Sequence, residues 1–278
     1  MSAIPLTALR ELWVHTGTAC NLSCPFCHEG SQPADTRLQA LTLAEIKPVL
    51  DQAMAAGAQR FIFTGGEPLT AREIVPMLTF ALTLLPTLVL TNATAPLIRR
   101  SQQLAVLAAQ PQPLSFRVSI DFADEARHDA ARGPKNFRKA LQGLKLLREA
   151  GFAVSVACQQ DPGSAARFAK LFERNGLPAA LQLIELPELG RPGSQPVPVA
   201  DLPIFAPRSD ACCSTGRMLL RRDGELRFQA CPLTDDDSRF DLGRELAVAM
   251  QASVRPQHHR CALCMRQGVN YSGFREMP

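Results

Sequence analysis

Cys20-Asn21-Leu22-Ser23-Cys24-Pro25-Phe26-Cys27 places three thiols within eight residues, with three residues and then two between them. Thiolates are soft ligands that suit iron–sulfur clusters and zinc. A closed zinc site calls for a fourth ligand close by. Three thiols with no obvious fourth suggest instead a four-iron cluster with one iron left open to a small molecule. Just upstream, Leu12-Trp13-Val14-His15-Thr16 reads as a short buried strand, so the thiol loop starts where a strand ends.

Downstream, apolar runs alternate with helical periodicity. Strands are expected at 61–64, 88–90, 115–120, 153–157 and 180–184, and helices at 41–57, 71–85, 97–109, 136–151 and 165–175. Thr42 and Glu45 make a capping-box pair at the first helix, and Gly57 stops it. Continuous apolar strands between amphipathic helices specify a parallel sheet covered by helices. Six strand–helix units fall short of a complete eight-stranded barrel. The pattern alone leaves a doubly wound sheet and an open partial barrel as alternatives. In barrels, chemistry sits at the C-terminal strand ends. The unusual residues cluster there: the three cysteines, Gly65-Gly66-Glu67-Pro68, Asn92, Ser119 with Asp121, Cys158 and Glu185.

The chain has 278 residues, of which 46% are hydrophobic and 20% charged, with a net charge of +4. That is enough apolar material for a core of barrel size. No block of like charge points to nucleic acid. The N-terminus has no apolar signal core, and no run approaches the length of a membrane span. A cytoplasmic protein is expected. Nine cysteines, an odd number, fall into two groups plus Cys158. In a reducing compartment such groups read as metal ligands rather than disulfides.

The thiol triplet after strand one, followed by Gly-Gly-Glu-Pro after strand two, resembles the radical S-adenosylmethionine (SAM) superfamily over residues 12–185. Ser119-Ile-Asp121 and His128-Asp-x-x-Arg132-Gly133 resemble the subgroup with a second cluster domain. The resemblance implies a partial (β/α)6 TIM-like barrel. It implies a 4Fe–4S cluster on Cys20, Cys24 and Cys27, whose open iron chelates SAM. A reductant such as flavodoxin or ferredoxin would deliver one electron, and SAM would be cleaved to methionine and a 5′-deoxyadenosyl radical that abstracts hydrogen. It assigns Gly65, Gly66, Glu67 and Pro68 to SAM binding, with Glu67 or its backbone on the methionine ammonium. Ser119 and Arg132 would hold the SAM carboxylate, Asn92 the ribose or methionine moiety, and the backbone near Phe26 the adenine.

Residues 187–207 are proline-rich and read as a linker or wrapping segment. Beyond them, Arg222-Asp223-Gly224 between two alternating runs signals a hairpin. Cys213, Cys231, Cys261 and Cys264 follow with seventeen, twenty-nine and two intervening residues. This quartet resembles a twitch domain, a shortened SPASM domain with one auxiliary 4Fe–4S cluster. Structural zinc is the rival reading, and Cys212 competes with Cys213 as ligand. The boundary is expected near 190: a barrel over 1–190 and a cluster domain over 191–278. Cys158 is a candidate hydrogen-atom donor, or a small core filler. Glu185 is a candidate substrate contact. Tyr271 and Arg275 are candidates to close over the pocket, and His258 and His259 read as a polar turn. Two substrate classes follow: a small metabolite, or a residue of a ribosomal peptide or protein. The few residues ahead of strand one predict no fused peptide-recognition domain, which favours the first.

Overall fold

Alternation within the strands decides where each side chain goes. The computed structural model describes residues 3–179, 181–187, 189 and 211–267. Six parallel strands are each followed by helical structure, apart from the last: β1 (Glu11–His15), β2 (Arg60–Thr64), β3 (Thr87–Thr91), β4 (Leu114–Ser119), β5 (Ala153–Gln159) and β6 (Leu183–Leu186). The helices between them are α1 (Leu43–Ala55), α2 (Ile74–Leu84), α3 (Ala95–Arg99), α4 (Leu104–Ala108), α5 (Glu125–Arg132), α6 (Asn136–Glu149) and α7 (Ser164–Arg174). This is a partial (β/α)6 barrel. Thr42 caps α1 and receives the N–H of Glu45, while the Glu45 carboxylate accepts from Thr42, the reciprocal pair expected from sequence.

Several boundaries differ from expectation. The helix expected over 97–109 is broken into α3 and α4 by a short 3-10 turn at Ser101–Gln103. Sequence reasoning missed α5, which is largely charged and buries only His128. The sixth strand is shifted to Leu183–Leu186, so Glu185 lies within it rather than beyond it. His259 opens the helix α10 (His259–Gln267) rather than a turn.

The Asp-Gly hairpin forms, with both turn residues at positive φ, as β7 (Gly216–Arg222) and β8 (Glu225–Gln229). It follows the one-turn helix α8 (Cys212–Thr215) and precedes α9 (Leu246–Gln251). The hairpin does not stand apart from the barrel. β7 pairs in parallel with the free edge of β1, giving one eight-stranded sheet in the order β6-β5-β4-β3-β2-β1-β7-β8.

The sheet has two apolar faces. Leu12, Val14, Phe61, Phe63, Val89, Phe116, Val118 and Leu219 pack outward against the helices. Trp13, Ile62, Leu88, Met218 and Leu220 point inward, against Phe240, Val254, Met265 and the C-terminal cysteines. Each of these large side chains contributes roughly 1.5–3 kcal/mol on full burial. The C-terminal third therefore plugs the inner face of β1, β2, β3 and β7. The inner face of β4 and β5 carries Ser115, Arg117, Ser119, Ser155 and Ala157 instead, and there a cavity stays open.

Candidate active site

The cavity, about 190 Å³, lies at the C-terminal ends of the strands. Of the residues singled out from sequence, it brings together Cys20, Cys24, Cys27, Phe26, Gly65, Gly66, Glu67, Asn92, Ser119, Arg132 and Cys158. Pro68 lies outside it and starts a buried 3-10 turn. Glu185 also lies outside it.

The thiol loop is tied down at both ends. The Cys20 N–H donates to the Gln32 carbonyl at 3.2 Å, and the Cys27 N–H donates to the Cys24 carbonyl at 3.1 Å. Two donors reach the Cys20 sulfur: the Leu22 N–H at 3.4 Å and the Asn92 amide at 3.9 Å. Burial pushes the Cys20 thiol up to about 12. Burial also raises Cys24, against the pull of Arg132, and raises Cys27 together with the Glu29 charge. Such thiols keep their protons until a metal takes the sulfur, so loading releases protons. Three thiols converging on a cavity, with N–H donors aimed at one of them, fit a cluster held by three ligands.

Gly65 and Gly66 are required by packing as well as by access to a ligand. A Cβ on Gly65 would lie 2.7 Å from the Gly17 carbonyl oxygen, and one on Gly66 would lie 2.5 Å from that of Thr18. The turn is stitched there: Gly66 N–H donates to Gly17 at 2.9 Å and Glu67 N–H to Ala19 at 3.1 Å. The Glu67 carboxylate is committed to the protein itself. It accepts from Leu69 N–H (3.1 Å), Thr91 Oγ1 (2.8 Å) and Asn92 N–H (2.7 Å). Burial raises its pKa despite these donors. Three donors leave the carboxylate little further accepting capacity, which favours the backbone of the two expected ways of holding an ammonium. Asn92 is similarly spent: its amide donates to Asn21 and its oxygen accepts from Thr94. It latches the thiol loop to β3.

Arg132 is not the surface charge beside Asp129 that its sequence setting allows. It forms a two-pronged pair with Asp121 and lies 5.5 Å from the Phe26 ring centroid. Burial works against its charge, but Asp121 outweighs burial and holds its pKa up. Asp129 instead accepts the N–H groups of Lys135 and Phe137 at the start of α6.

Cys158 sits at the rim. It pairs across the sheet with Glu185 and shares the face of Val156, which packs on the helices. Burial, then Glu185, pushes its thiol up to about 12. Glu185 accepts from Ser164 at the start of α7. Cys158 lines the cavity, and Glu185, its neighbour across the sheet, does not.

One cluster was missed from sequence. His15, Glu29 and Asp235 are all buried, with ligand atoms within 4.8 Å of one another. The Gly17 N–H points at His15 Nδ1 (3.3 Å), which leaves the ring proton on Nε2, facing Glu29 at 3.4 Å. In that tautomer a neutral imidazole N–H faces the Glu29 carboxylate; the pair becomes ionic only when Nδ1 is protonated too. Burial opposes both charges, yet Glu29 holds His15 up, and His15 draws Glu29 down to about 2. Burial, and then the Glu29 charge, push Asp235 up to about 7. The run Asp235-Asp236-Asp237 was the available signal.

The second thiol group surrounds a small apolar cavity of about 20 Å³, walled by Phe240, Val254 and Met265. Cys213, Cys231, Cys261 and Cys264 lie within mutual electrostatic reach, with burial raising Cys213 to about 12. Cys212 lines the same cavity and feels Cys231, Cys264 and Cys213, so it stands beside Cys213 among the thiols gathered there. The Arg217 guanidinium, fully buried, donates to the Cys213 carbonyl at 2.7 Å. Arg260, also fully buried, donates to the His28 carbonyl at 2.7 Å and to Asp236 at 2.9 Å. It thereby joins the residue after Cys27 to the residue before Cys261. Tyr271, Arg275 and most of the proline-rich stretch lie outside the described residues.

A strand-end cavity lined by a thiol triplet and Gly-Gly-Glu defines a class of enzyme. The family model of the radical SAM superfamily matches residues 14–158, just over half of the chain. The chain belongs to that superfamily and is an enzyme, and membership implies a four-iron cluster and SAM. It is 31% identical over 156 residues to an AdoMet-dependent heme synthase of Methanosarcina barkeri, covering 55% of this chain and 43% of that protein. It is 23% identical over 276 residues to a GTP 3′,8-cyclase of Nitrobacter winogradskyi, covering 95% and 75%. The stretch aligned with the heme synthase is thus under half of that protein. Among solved structures, Streptococcus suis SuiB bound to S-adenosylmethionine superposes with a TM-score of 0.66 at 15% identity, covering 98% of this chain and 69% of that one. No helix among the described residues is long and apolar enough to cross a membrane.

Proposed function

We propose that this enzyme is a radical SAM oxidoreductase acting on a small molecule seated at the ends of β4, β5 and β6, in the cavity that the thiol triplet lines. The observation that carries this is the single cavity with the thiol triplet on one wall and the polar inner face of β4 and β5 on the other. Cys20, Cys24 and Cys27 would hold the cluster. Bound there, SAM supplies on one-electron reduction a 5′-deoxyadenosyl radical able to take a hydrogen atom. The backbone of Gly65-Gly66-Glu67 would receive the ammonium, Ser119 and Arg132 the carboxylate, and the backbone near Phe26 the adenine. Arg132, already oriented by Asp121, presents its remaining donors without a conformational search. A flavodoxin or ferredoxin is the reductant of choice.

Cys213, Cys231, Cys261 and Cys264 are proposed to hold an auxiliary four-iron cluster in a twitch-like domain, which would accept an electron from, or anchor, the substrate. Their spacing in space supports this over zinc. Tetrahedral zinc with sulfur ligands at about 2.3 Å needs sulfurs under about 4 Å apart. Among the described residues, no three cysteine sulfurs converge even within 4.8 Å.

The peptide reading keeps one specific support. The chain is 30% identical over 156 residues to the subtilosin biosynthesis protein AlbA of Bacillus subtilis, covering 55% of this chain and 33% of that one. The deciding experiment is anaerobic reconstitution, then SAM and dithionite. Deoxyadenosine is expected from the wild type and none from Cys24→Ala; cleavage retained by that variant rejects the proposal. Deuterium carried into deoxyadenosine from a labelled small molecule, rather than from a labelled precursor peptide, separates the substrate classes.

A further inference from the structure

We infer that the two thiol groups are coupled: metal held by the second group tightens SAM binding at the first, and Arg260 is the positioning residue that carries the effect. The inference rests on the reading of the second group as a metal site.

Arg260 is fully buried, and its guanidinium touches the walls of both cavities. On one side it donates to the His28 carbonyl at 2.7 Å and to the Leu189 carbonyl at 3.3 Å. Both residues line the strand-end cavity, and His28 directly follows Cys27. On the other side it donates to the Leu233 carbonyl at 3.0 Å and to the Asp236 carboxylate at 2.9 Å. Leu233 lines the small apolar cavity of the second group, two residues after Cys231. The Arg260 backbone immediately precedes Cys261 on α10. A planar cation held on both sides by charge-assisted hydrogen bonds ties these loops to one another.

The second group needs its metal to keep that tie in register. At nine residues, α10 is shorter than a helix that persists without support. It carries Cys261 and Cys264, while Cys231 precedes the 3-10 turn Pro232–Thr234 and Cys213 lies on α8. A metal on these thiols would staple α10 to the turn and to α8, so its binding energy becomes local folding energy. With the staple absent, Arg260 slackens, and the backbone next to Cys27 loses its anchor. Groups standing behind a metal ligand are typically worth about 10–100-fold in affinity or activity. By linkage the effect is reciprocal, so SAM would also strengthen metal retention by the second group.

The test measures SAM affinity of the reconstituted enzyme by calorimetry, with iron counted in the same samples. Cys264→Ala should weaken SAM binding at least about fivefold. Arg260→Gln should weaken it by a similar factor, and adding Cys264→Ala to Arg260→Gln should cost nothing further. An unrelated packing defect would add to the Cys264→Ala loss rather than absorb it. Should Arg260→Gln fail to fold, Asp236→Asn takes its place: it weakens one anchor, leaves the carbonyl bonds, and should absorb part of the same loss. Unchanged SAM affinity in Cys264→Ala, or losses that simply add, overturns the inference. About four irons per wild-type chain, rather than about eight, also overturns it. The iron count separates that failure, which is of the metal reading, from a failure of the coupling.

Discussion

The two thiol groups are built on opposite plans. The first takes three thiols from one eight-residue loop, leaves them half-buried and opens them onto a cavity. The second gathers Cys213, Cys231, Cys261 and Cys264 from three stretches of chain and closes apolar side chains over them. Both have a buried arginine at hand: Arg132, which lowers Cys24, and Arg217, which lowers Cys213. Openness suits a site that must admit a ligand, and closure suits one that must keep its metal.

The comparison breaks most visibly at the ligands. Cys24→Ala should bring deoxyadenosine formation to background, whereas Cys264→Ala should leave cleavage measurable and cost about four of roughly eight irons per chain. Four irons in the wild type, or loss of cleavage with full iron in Cys264→Ala, would collapse the distinction. Chelator challenge sharpens it. The open group should lose iron at least about tenfold faster than the closed one, because access controls the rate of exchange; equal rates would count against closure.

Next in size is Gly66→Ala. Its Cβ would meet the carbonyl oxygens of Thr18 and Ala19 at 2.5 and 2.6 Å. Backbone cannot yield as a side chain tip does, so urea unfolding should show a loss of about 1–3 kcal/mol. The smallest effect is a pH dependence. Asp235 titrates near 7 in the fold, above an ordinary carboxylate, so the folded state holds a proton that the unfolded chain has released. The contribution of Asp235 to the stability of the metal-free protein should therefore fall as pH rises from about 4 through 7, against an opposite contribution from His128, which burial lowers to about 4. His15, also raised, adds to the fall above its ordinary value. Asp235→Asn should flatten the slope and gain stability at pH 8 relative to the wild type. A slope unchanged in that variant would place the titration elsewhere.

The first group was legible in sequence because its ligands are neighbours and its position after a strand is a local fact. The strand order and capping of α1 were legible for the same reason. What was hidden depended on contacts between distant residues. Glu67 was singled out, but its carboxylate is turned toward Thr91 and Asn92, a choice no spacing reveals. Arg117 lay unnoticed in an apolar run, because its face is set by pairing with β5. His15, Glu29 and Asp235 meet only when the C-terminal third folds over the barrel. The helix α5 escaped because it spans only eight residues and buries a single side chain, His128, so its hydrophilic sequence reads as a loop.

The pairing of β1 with β7 also has a consequence during synthesis. Glu11 waits for Gly216 before its second edge is covered. At typical elongation rates of 5–20 residues per second, that interval is about 10–40 s. Throughout it, an apolar parallel edge of β1 is bare, the condition under which strands recruit wrong partners. A version cut short before the hairpin would keep that edge exposed permanently and should aggregate rather than yield an isolated barrel.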